Sequence, residues 1–152
     1  MLVSVCTIAR NEEEYLPHLL EDITKQDYPA EQIEVVMVDS SSTDGTRRIM
    51  ERFAEENYEE LVEINFKQIP SAMDIFSGDL TVDNMVMAMR FRFPEKKIIP
   101  GKTMIFLDEI QECQEAITSL KFWALDNRFD VIASGSLLGI DYKRCLLYTS
   151  PS

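Results

Sequence analysis

The sequence predicts an α/β fold, a three-layer αβα sandwich around a mostly parallel sheet. Apolar runs of strand length alternate along the chain with amphipathic stretches of helix length, which is the order that βαβ units produce. The run at residues 103–107, TMIFL, has no polar alternation, as expected of a strand that is covered by helices on both faces. Polar residues follow several of these runs, at the strand ends where open α/β sheets bind ligands.

The composition is that of one globular domain without a nucleic-acid-binding surface. The 152 residues are 45% hydrophobic and 28% charged, with a net charge of −12, and the basic residues are scattered instead of clustered on one face. Cys6, Cys113 and Cys145 have no zinc-ligand spacing, so we expect a reducing compartment and no structural zinc. Residues 1–8 are apolar but have neither the basic flank nor the length of a signal peptide or membrane span. We therefore expect this fragment to be cytoplasmic and to contain no membrane segment.

The first third of the chain predicts two strands and two helices. Residues 2–8 are rich in β-branched residues and should form a buried strand. Asn11 is expected to cap a helix whose first turn carries three glutamates, and His18 should lie on its surface. Residues 33–38 predict a second strand, followed by a polar loop and a helix at residues 46–56.

The rest of the chain continues the same alternation. Strands are predicted at residues 61–66, 103–107 and 129–133, and helices at residues 81–93 and 112–125. The apolar stripe of the helix at 81–93, formed mainly by methionine and valine, is expected to pack in the core.

Two adjacent carboxylates, Asp108 and Glu109, follow the apolar run at residues 103–107. They would lie at the carboxyl end of a central strand, the edge at which α/β sheets bind ligands. This pattern, a hydrophobic strand followed by Asp-Glu, is called Walker B in P-loop ATPases. A solvated acidic turn after a buried strand is the alternative.

Two loops of the first third resemble those of a known family. Residues 8–13, IARNEE, and residues 38–46, VDSSSTDGT, are similar to the nucleotide-sugar-binding half of a family 2 glycosyltransferase. The resemblance implies that Asp39 bonds the nucleotide base and that Ala9 and Asn11 lie nearby. A carboxylate at a strand end can accept an N–H from a uracil-like edge. The alternative is that Asp39 and the following serines only cap the next helix.

This first resemblance ends near residue 56. A glycosyltransferase of this type continues with an Asp-x-Asp metal motif and a later catalytic base, and neither follows in this sequence. We therefore expect no sugar transfer, although a UDP-sugar remains a possible ligand of the N-terminal part.

The later part of the chain resembles the middle of an AAA-type P-loop ATPase, of the bacterial and archaeal group that carries a C-terminal domain of unknown function. Five segments carry the resemblance in order: residues 53–58, 61–66, 75–80, 99–113 and 131–139. The resemblance implies ATP with Mg²⁺ as the ligand.

Roles for three residues follow from this second resemblance. In such ATPases the Walker B aspartate holds Mg²⁺ and the adjacent acid activates the attacking water. Asp108 would then be the metal residue, Glu109 the catalytic acid, and Ser134 the sensor of the γ-phosphate. A serine that only forms a turn is the alternative for Ser134.

The phosphate loop that an ATPase needs is missing from its expected place. That loop reads Gly-x-x-x-x-Gly-Lys-Ser/Thr and leads into a helix. Before the helix predicted at residue 46 the chain has SSTDG, residues 41–45, in which Asp44 would repel phosphate. Gly101 and Lys102 lead into a strand instead, so we do not assign them to a phosphate loop. The sequence therefore predicts an incomplete nucleotide-binding fold with ATP turnover at or near background.

We interpret the chain as a chimera of two gene fragments. Residues 1–52 would be a glycosyltransferase-like βαβα fragment and residues 53–144 an AAA-like fragment, with a junction near residues 46–54. Residues 145–152, CLLYTSPS, resemble translated adapter sequence and are expected to be a disordered, non-native tail. The predicted function is nucleotide binding, mainly by the Walker-B half of an AAA-type ATP-binding protein. Nucleotide-sugar binding and a non-functional fragment are the alternatives.

Overall fold

The computed structural model describes residues 3–136, which contain five strands and four α-helices. The strands are β1 (Val3–Ala9), β2 (Ile33–Asp39), β3 (Glu60–Asn65), β4 (Thr103–Asp108) and β5 (Asp130–Ser134). The helices are α1 (Leu16–Thr24), α2 (Thr46–Asn57), α3 (Val82–Arg92) and α4 (Gln114–Asp126). Short 3₁₀ segments lie at Ala30–Gln32, Pro70–Phe76 and Ile110–Glu112.

All five strands form one sheet in the order β1-β2-β5-β4-β3, and every neighbouring pair is parallel. The chain crosses the sheet in one direction from β1 through β2 to β3, and returns through β4 to β5. Because parallel crossovers are right-handed, connections that run in opposite directions place their helices on opposite faces. The predicted three-layer α/β sandwich is therefore confirmed.

Strand β4 shows how the two cores are built. All six of its residues are buried, and successive side chains point to opposite faces. Met104 and Phe106 pack with apolar residues of α1 and α2. Ile105 and Leu107 pack with apolar residues of α3 and α4. The buried central strand predicted from the uninterrupted apolar run is confirmed.

The two parts of the predicted chimera share this sheet. Strand β5 lies between β2 and β4, and its register with β2 runs from Val36 opposite Val131 to Asp39 opposite Ser134. One core contains residues from both parts, for example Met37 and Met50 with Ile132. The β2–β5 pair is therefore the contact through which the N-terminal strands join the later ones.

Two local predictions are wrong. Within residues 3–136 only β2 pairs with β1, so β1 is an edge strand of the described sheet instead of a buried one, and Cys6 and Ile8 are exposed. Helix α1 begins at Leu16, four residues later than a cap at Asn11 would place it. Asn11 has a left-handed backbone, with φ of 55°, and its side chain bonds Thr43 of another loop. A contact made across the fold therefore replaces the local cap.

The remaining predicted elements agree with the structure to within a few residues. None of the helices within residues 3–136 is both long and apolar enough to span a bilayer. His18 is exposed, as expected. Cys145, the predicted tail and the last residues of the ATPase-like segment lie outside the described residues.

Candidate functional site

The predicted site residues lie along the carboxyl-terminal edge of the sheet. Asp39 ends β2, Ser134 ends β5 and Asp108 ends β4, and these three strands are consecutive neighbours in the sheet. Ala9, at the end of β1, pairs with Asp39. Because parallel strands bring their carboxyl ends to one edge, residues far apart in sequence meet there.

Asp39 is held inside this edge by four donated hydrogen bonds. Its side chain accepts bonds from the backbone N–H of Ser42 at 3.3 Å to each oxygen, from the Ser42 hydroxyl, and from the Ser134 hydroxyl at 3.3 Å. Asp39 as a whole residue is 1% exposed. Its backbone carbonyl also accepts the N–H of Gly135 at 3.1 Å. Asp39 therefore links its own loop to the neighbouring strand β5.

The loops after β1 and β2 are bonded to each other. The N–H of Asn11 donates to the Ser42 hydroxyl at 2.9 Å, and the N–H of Thr43 donates to Asn11 Oδ1 at 2.8 Å. The N–H of Glu12 donates to Thr46 Oγ1 at 2.8 Å. Through Ser42, which also bonds Asp39, these bonds place Asn11 and Asp39 in one pair of loops.

Carboxylates occupy the first backbone donors of α2. The N–H of Gly45 donates to Glu13 Oε2 at 2.7 Å, and the N–H of Thr46 donates to Asp44 Oδ1 at 3.0 Å. Burial opposes the ionisation of Asp44, but hydrogen bonds from Thr46 and from the N–H of Glu13 lower its pKa below the ordinary value. Two negative side chains therefore satisfy donors that would otherwise face an anion at a helix start.

Asp108 is paired with a residue that the sequence reasoning did not select. Arg47 Nη1 donates to Asp108 Oδ2 at 2.8 Å, and the side-chain amide of Asn65 donates to the same oxygen. Because Asp108 is 2% exposed, the guanidinium of Arg47 and not solvent balances its negative charge. Arg47 could have been noticed in the sequence, because it follows the loop directly and stands four residues before Glu51, a helical ion-pair spacing.

Glu109 sits on a left-handed turn, with φ of 53°. Its Oε2 accepts bonds from Lys67 Nζ at 2.8 Å and from Gln111 Nε2 at 2.5 Å. The bond from Lys67, followed by that from Gln111, lowers the pKa of Glu109 below its ordinary value. Glu109 is therefore held as an ionised, paired carboxylate.

Gln111 is a second residue that the sequence did not reveal. Besides Glu109, it accepts the N–H of Ser136 at its Oε1, at 3.1 Å, and thereby connects the end of β4 to the segment after β5. Gly135 allows this approach, because a Cβ there would lie 2.2 Å from Gln111 Oε1 and 3.2 Å from the backbone nitrogen of Ile110. The only hint in the sequence is the glycine itself.

Lys102 lies at the opposite end of β4 from Asp108, and its ammonium pairs with Glu59 at 2.7 Å. It precedes a strand, as the sequence predicts, and does not face the candidate site.

The donor set around Asp108 does not fit a magnesium ion as it is arranged here. Mg²⁺ requires a near-octahedral set of oxygen ligands at about 2.0–2.1 Å. Asp108 Oδ2 instead faces two nitrogen donors, from Arg47 and Asn65, and Glu109 faces Lys67. Within residues 3–136 no group of three or more His, Cys, Asp or Glu residues is arranged to hold a metal.

Comparison with known proteins identifies the larger part of the chain. The family described as AAA domain matches residues 44–145, which is more than half of the sequence. The chain belongs to the AAA domain family. The match covers β3, β4 and β5 with Asp108, Glu109 and Ser134, so the predicted AAA-type resemblance is confirmed.

A second family matches the N-terminal part of this AAA-domain chain. Glycosyl transferase family 2 matches residues 4–68. Two curated relatives are 43% identical to this chain over 53 residues. Both are named poly(ribitol-phosphate) beta-N-acetylglucosaminyltransferase TarS, and they come from Staphylococcus aureus strains Mu50 / ATCC 700699 and MW2. The matched stretch is 35% of this chain and 9% of the length of each relative. No solved structure matches the chain significantly.

The two family matches support the predicted two-family chimera. They overlap at residues 44–68, which include α2 and β3. The chain thus combines a glycosyltransferase-like and an AAA-like nucleotide-binding part. The exact junction near residues 46–54 stays a prediction, as do the roles of the individual site residues.

Proposed function

We propose that the chain is a nucleotide-binding α/β fragment, mainly the Walker-B half of an AAA-type ATP-binding protein, and that it does not hydrolyse ATP. The nucleotide would bind at the carboxyl edge of the sheet, where the loops after β2, β4 and β5 meet. Cys6 and Cys113 are free thiols, which suits a reducing compartment, and we propose the cytoplasm as the setting.

The observation that carries this proposal is that carboxylates already occupy the backbone N–H groups at the start of α2. An ATPase holds phosphates with backbone N–H groups at a helix start and with a lysine. Here Glu13 and Asp44 accept the N–H groups of Gly45 and Thr46, and the residue after Gly45 is Thr46 instead of lysine. A triphosphate would have to displace two carboxylates and would meet their charge.

The ion pair of Glu109 with Lys67 also supports the proposed absence of ATP hydrolysis. A general base is most effective when its pKa lies near the working pH. The ion pair with Lys67 lowers the pKa of Glu109 and holds one of its oxygens. Glu109 would therefore be a weak and poorly placed acceptor for the proton of an attacking water.

The first test measures turnover directly. Release of radiolabelled phosphate from ATP should stay at background for the native chain and should be equally low for Glu109→Gln. Hydrolysis above background that is lost in Glu109→Gln would contradict the proposal, because it would show that Glu109 activates water.

The second test separates nucleoside binding from phosphate binding. Calorimetric titration should give affinities for ATP and adenosine that agree within about threefold, which corresponds to about 0.7 kcal/mol. ATP that binds more than about tenfold tighter than adenosine would show that phosphates are gripped, against the proposal. If neither ATP nor adenosine produced heat, the result would favour the alternative that the chain is a fragment without specific function.

Nucleotide-sugar binding by the N-terminal part is the second candidate function. It is favoured by the glycosyl transferase family 2 match and by the relatives named as N-acetylglucosaminyltransferases. Ala9, Asn11 and Asp39 meet in one loop pair. Asp39 would have to exchange its Ser42 contacts for an N–H of the base.

Titration with UDP tests this second candidate. UDP should bind the native chain, bind Asp39→Asn at least about tenfold more weakly because a charged acceptor is lost, and bind the control Asp79→Asn as it binds the native chain. Asp79 is exposed in the turn before α3. Equal binding to folded Asp39→Asn would remove Asp39 from the role, and no heat with the native chain would dismiss UDP as a ligand.

A further inference from the structure

Arg47, the second residue of α2, directs its guanidinium at three carboxylates. Its Nε donates to Glu51 Oε1 at 2.7 Å, its Nη1 to Asp108 Oδ2 at 2.8 Å and its Nη2 to Glu63 Oε1 at 2.8 Å. The guanidinium carbon lies 5.2 Å from the centre of the Phe106 ring. Each bonded nitrogen thus points at a different acid, so Arg47 is committed to this position.

The three acids come from three elements, α2, β3 and β4, and they differ in exposure. Asp108 is 2% exposed, whereas the side chains of Glu51 and Glu63 are 31% and 45% exposed. Like charges brought this close repel one another, and a buried unpaired carboxylate is strongly destabilising. A cation is therefore required at this point of the edge, and Arg47 supplies it.

A resident metal ion would compete for the same space. Asp108 Oδ2 already accepts hydrogen bonds from Arg47 and Asn65. A divalent ion could not use this oxygen as a ligand while both donors hold it, and the guanidinium would repel the ion. Arg47 is anchored at the first turn of a helix and rests on Phe106, so it cannot easily move aside.

We propose that Arg47 takes the place of a divalent cation at the carboxyl edge of this sheet. The native chain then binds no Mg²⁺ at Asp108. Without the guanidinium, Asp108, Glu63 and Glu51 lose the cation that they share, and a divalent cation should then be attracted to them. The inference rests on the proposed function only in taking this edge as the nucleotide edge, and metal binding is tested without nucleotide.

Manganese titration followed by electron paramagnetic resonance tests the proposal, with Mn²⁺ as the probe. The native chain, Asp108→Asn and the matched control Arg48→Gln, an exposed arginine next in the same helix, should show the same weak binding. Arg47→Gln should gain one Mn²⁺ bound at least about tenfold more tightly. The double variant Arg47→Gln with Asp108→Asn should lose that gain.

Two results would overturn the proposal. One is Mn²⁺ binding by the native chain that Asp108→Asn weakens by about tenfold or more, since the metal would then bind despite Arg47. The other is a finding that Arg47→Gln, shown by circular dichroism to be folded, binds Mn²⁺ no better than Arg48→Gln. If Arg47→Gln does not fold, the comparison of the native chain with Asp108→Asn still decides the first point. Neither result depends on whether the chain binds ATP or UDP.

Discussion

Asp130 opens β5 at the end of the sheet opposite the candidate site, and its carboxyl is bonded on both oxygens. Oδ1 accepts the N–H of Val35 at 3.2 Å and Oδ2 accepts the Tyr58 hydroxyl. Burial raises the pKa of the Asp130 carboxyl, and the bonds from Tyr58 and Val35 only partly offset this. Burial and the nearby Asp130 charge raise the pKa of Tyr58 as well. The folded state therefore holds the proton of Asp130 more tightly than the unfolded chain does.

This pKa shift has a definite sign in the pH dependence of stability. Between the ordinary carboxyl value, about pH 4, and the raised folded value, the folded state binds more protons, so Asp130 makes the free energy of unfolding fall as the pH rises. In Asp130→Asn that contribution is absent. Urea denaturation from pH 4 to 7 should show the native chain losing stability relative to Asp130→Asn as the pH rises.

A second variant checks the cause. Tyr58→Phe removes a bond that lowers the pKa of Asp130, so the loss of stability should extend to higher pH than in the native chain. If the native chain and Asp130→Asn change in parallel over the whole range, the raised pKa of Asp130 is wrong.

At the scale of single elements, helix α4 depends on one aromatic anchor. Trp123 is 1% exposed, its ring centre lies 5.9 Å from that of Phe129 in an edge-to-face contact, and its Nε1 donates to the Ser119 hydroxyl at 3.2 Å. Leu125, two residues later, is 75% exposed. The helix is thus attached through its buried face, while a large apolar residue on its outer face contributes little.

Substitution of these two residues should separate the two faces of α4. Trp123→Ala should lower the free energy of unfolding by about 3–5 kcal/mol, because a large buried ring is lost and a cavity is left. Leu125→Ala should change it by less than about 0.5 kcal/mol. Circular dichroism in urea measures both, since Trp123 is the single tryptophan and its fluorescence is lost in the variant. Similar effects of the two substitutions would contradict this packing.

At the scale of the whole molecule, the notable feature is that parts resembling two families complete one sheet. Strand β5 pairs with β2 on one side and β4 on the other, and Ile132 of β5 packs among residues of α1 and α2. The apolar surface buried across the β2–β5 contact couples the stability of the two parts, because neither part covers its apolar face alone.

We therefore predict one cooperative unfolding unit. Amide exchange of residues 35–38 in β2 and 105–107 in β4 should report opening free energies that agree within about 1 kcal/mol. Ile132→Ala should lower both by the same amount, about 2–4 kcal/mol. The control Ile8→Ala, on a side chain that is 66% exposed, should leave both nearly unchanged.

The outcome that would contradict this is early exchange in β2 with β4 still protected. It would show that the N-terminal part opens by itself and that the β2–β5 contact contributes little. If neither β2 nor β4 were protected from exchange, the result would favour the alternative that the chain is a fragment without specific function.

From the amino-acid sequence we could predict the fold class, the positions of most elements, the family resemblances and the acids at the strand ends. These features are local: an apolar run, a polar loop or an Asp-Glu pair at the end of a strand is visible in neighbouring residues. Asp39, Asp108 and Ser134 could therefore be selected before any contact was known.

The partners of these residues are visible only in the folded chain. The edge position of β1, the pairing of Arg47 with Asp108, the placement of Lys67 beside Glu109 and the bridge made by Gln111 all join residues from separate elements. Such contacts depend on strand order and on which face each crossover helix covers, and local pattern does not specify them. A carboxylate read as a metal residue in the sequence is, in the folded chain, already neutralised by an arginine 61 residues away.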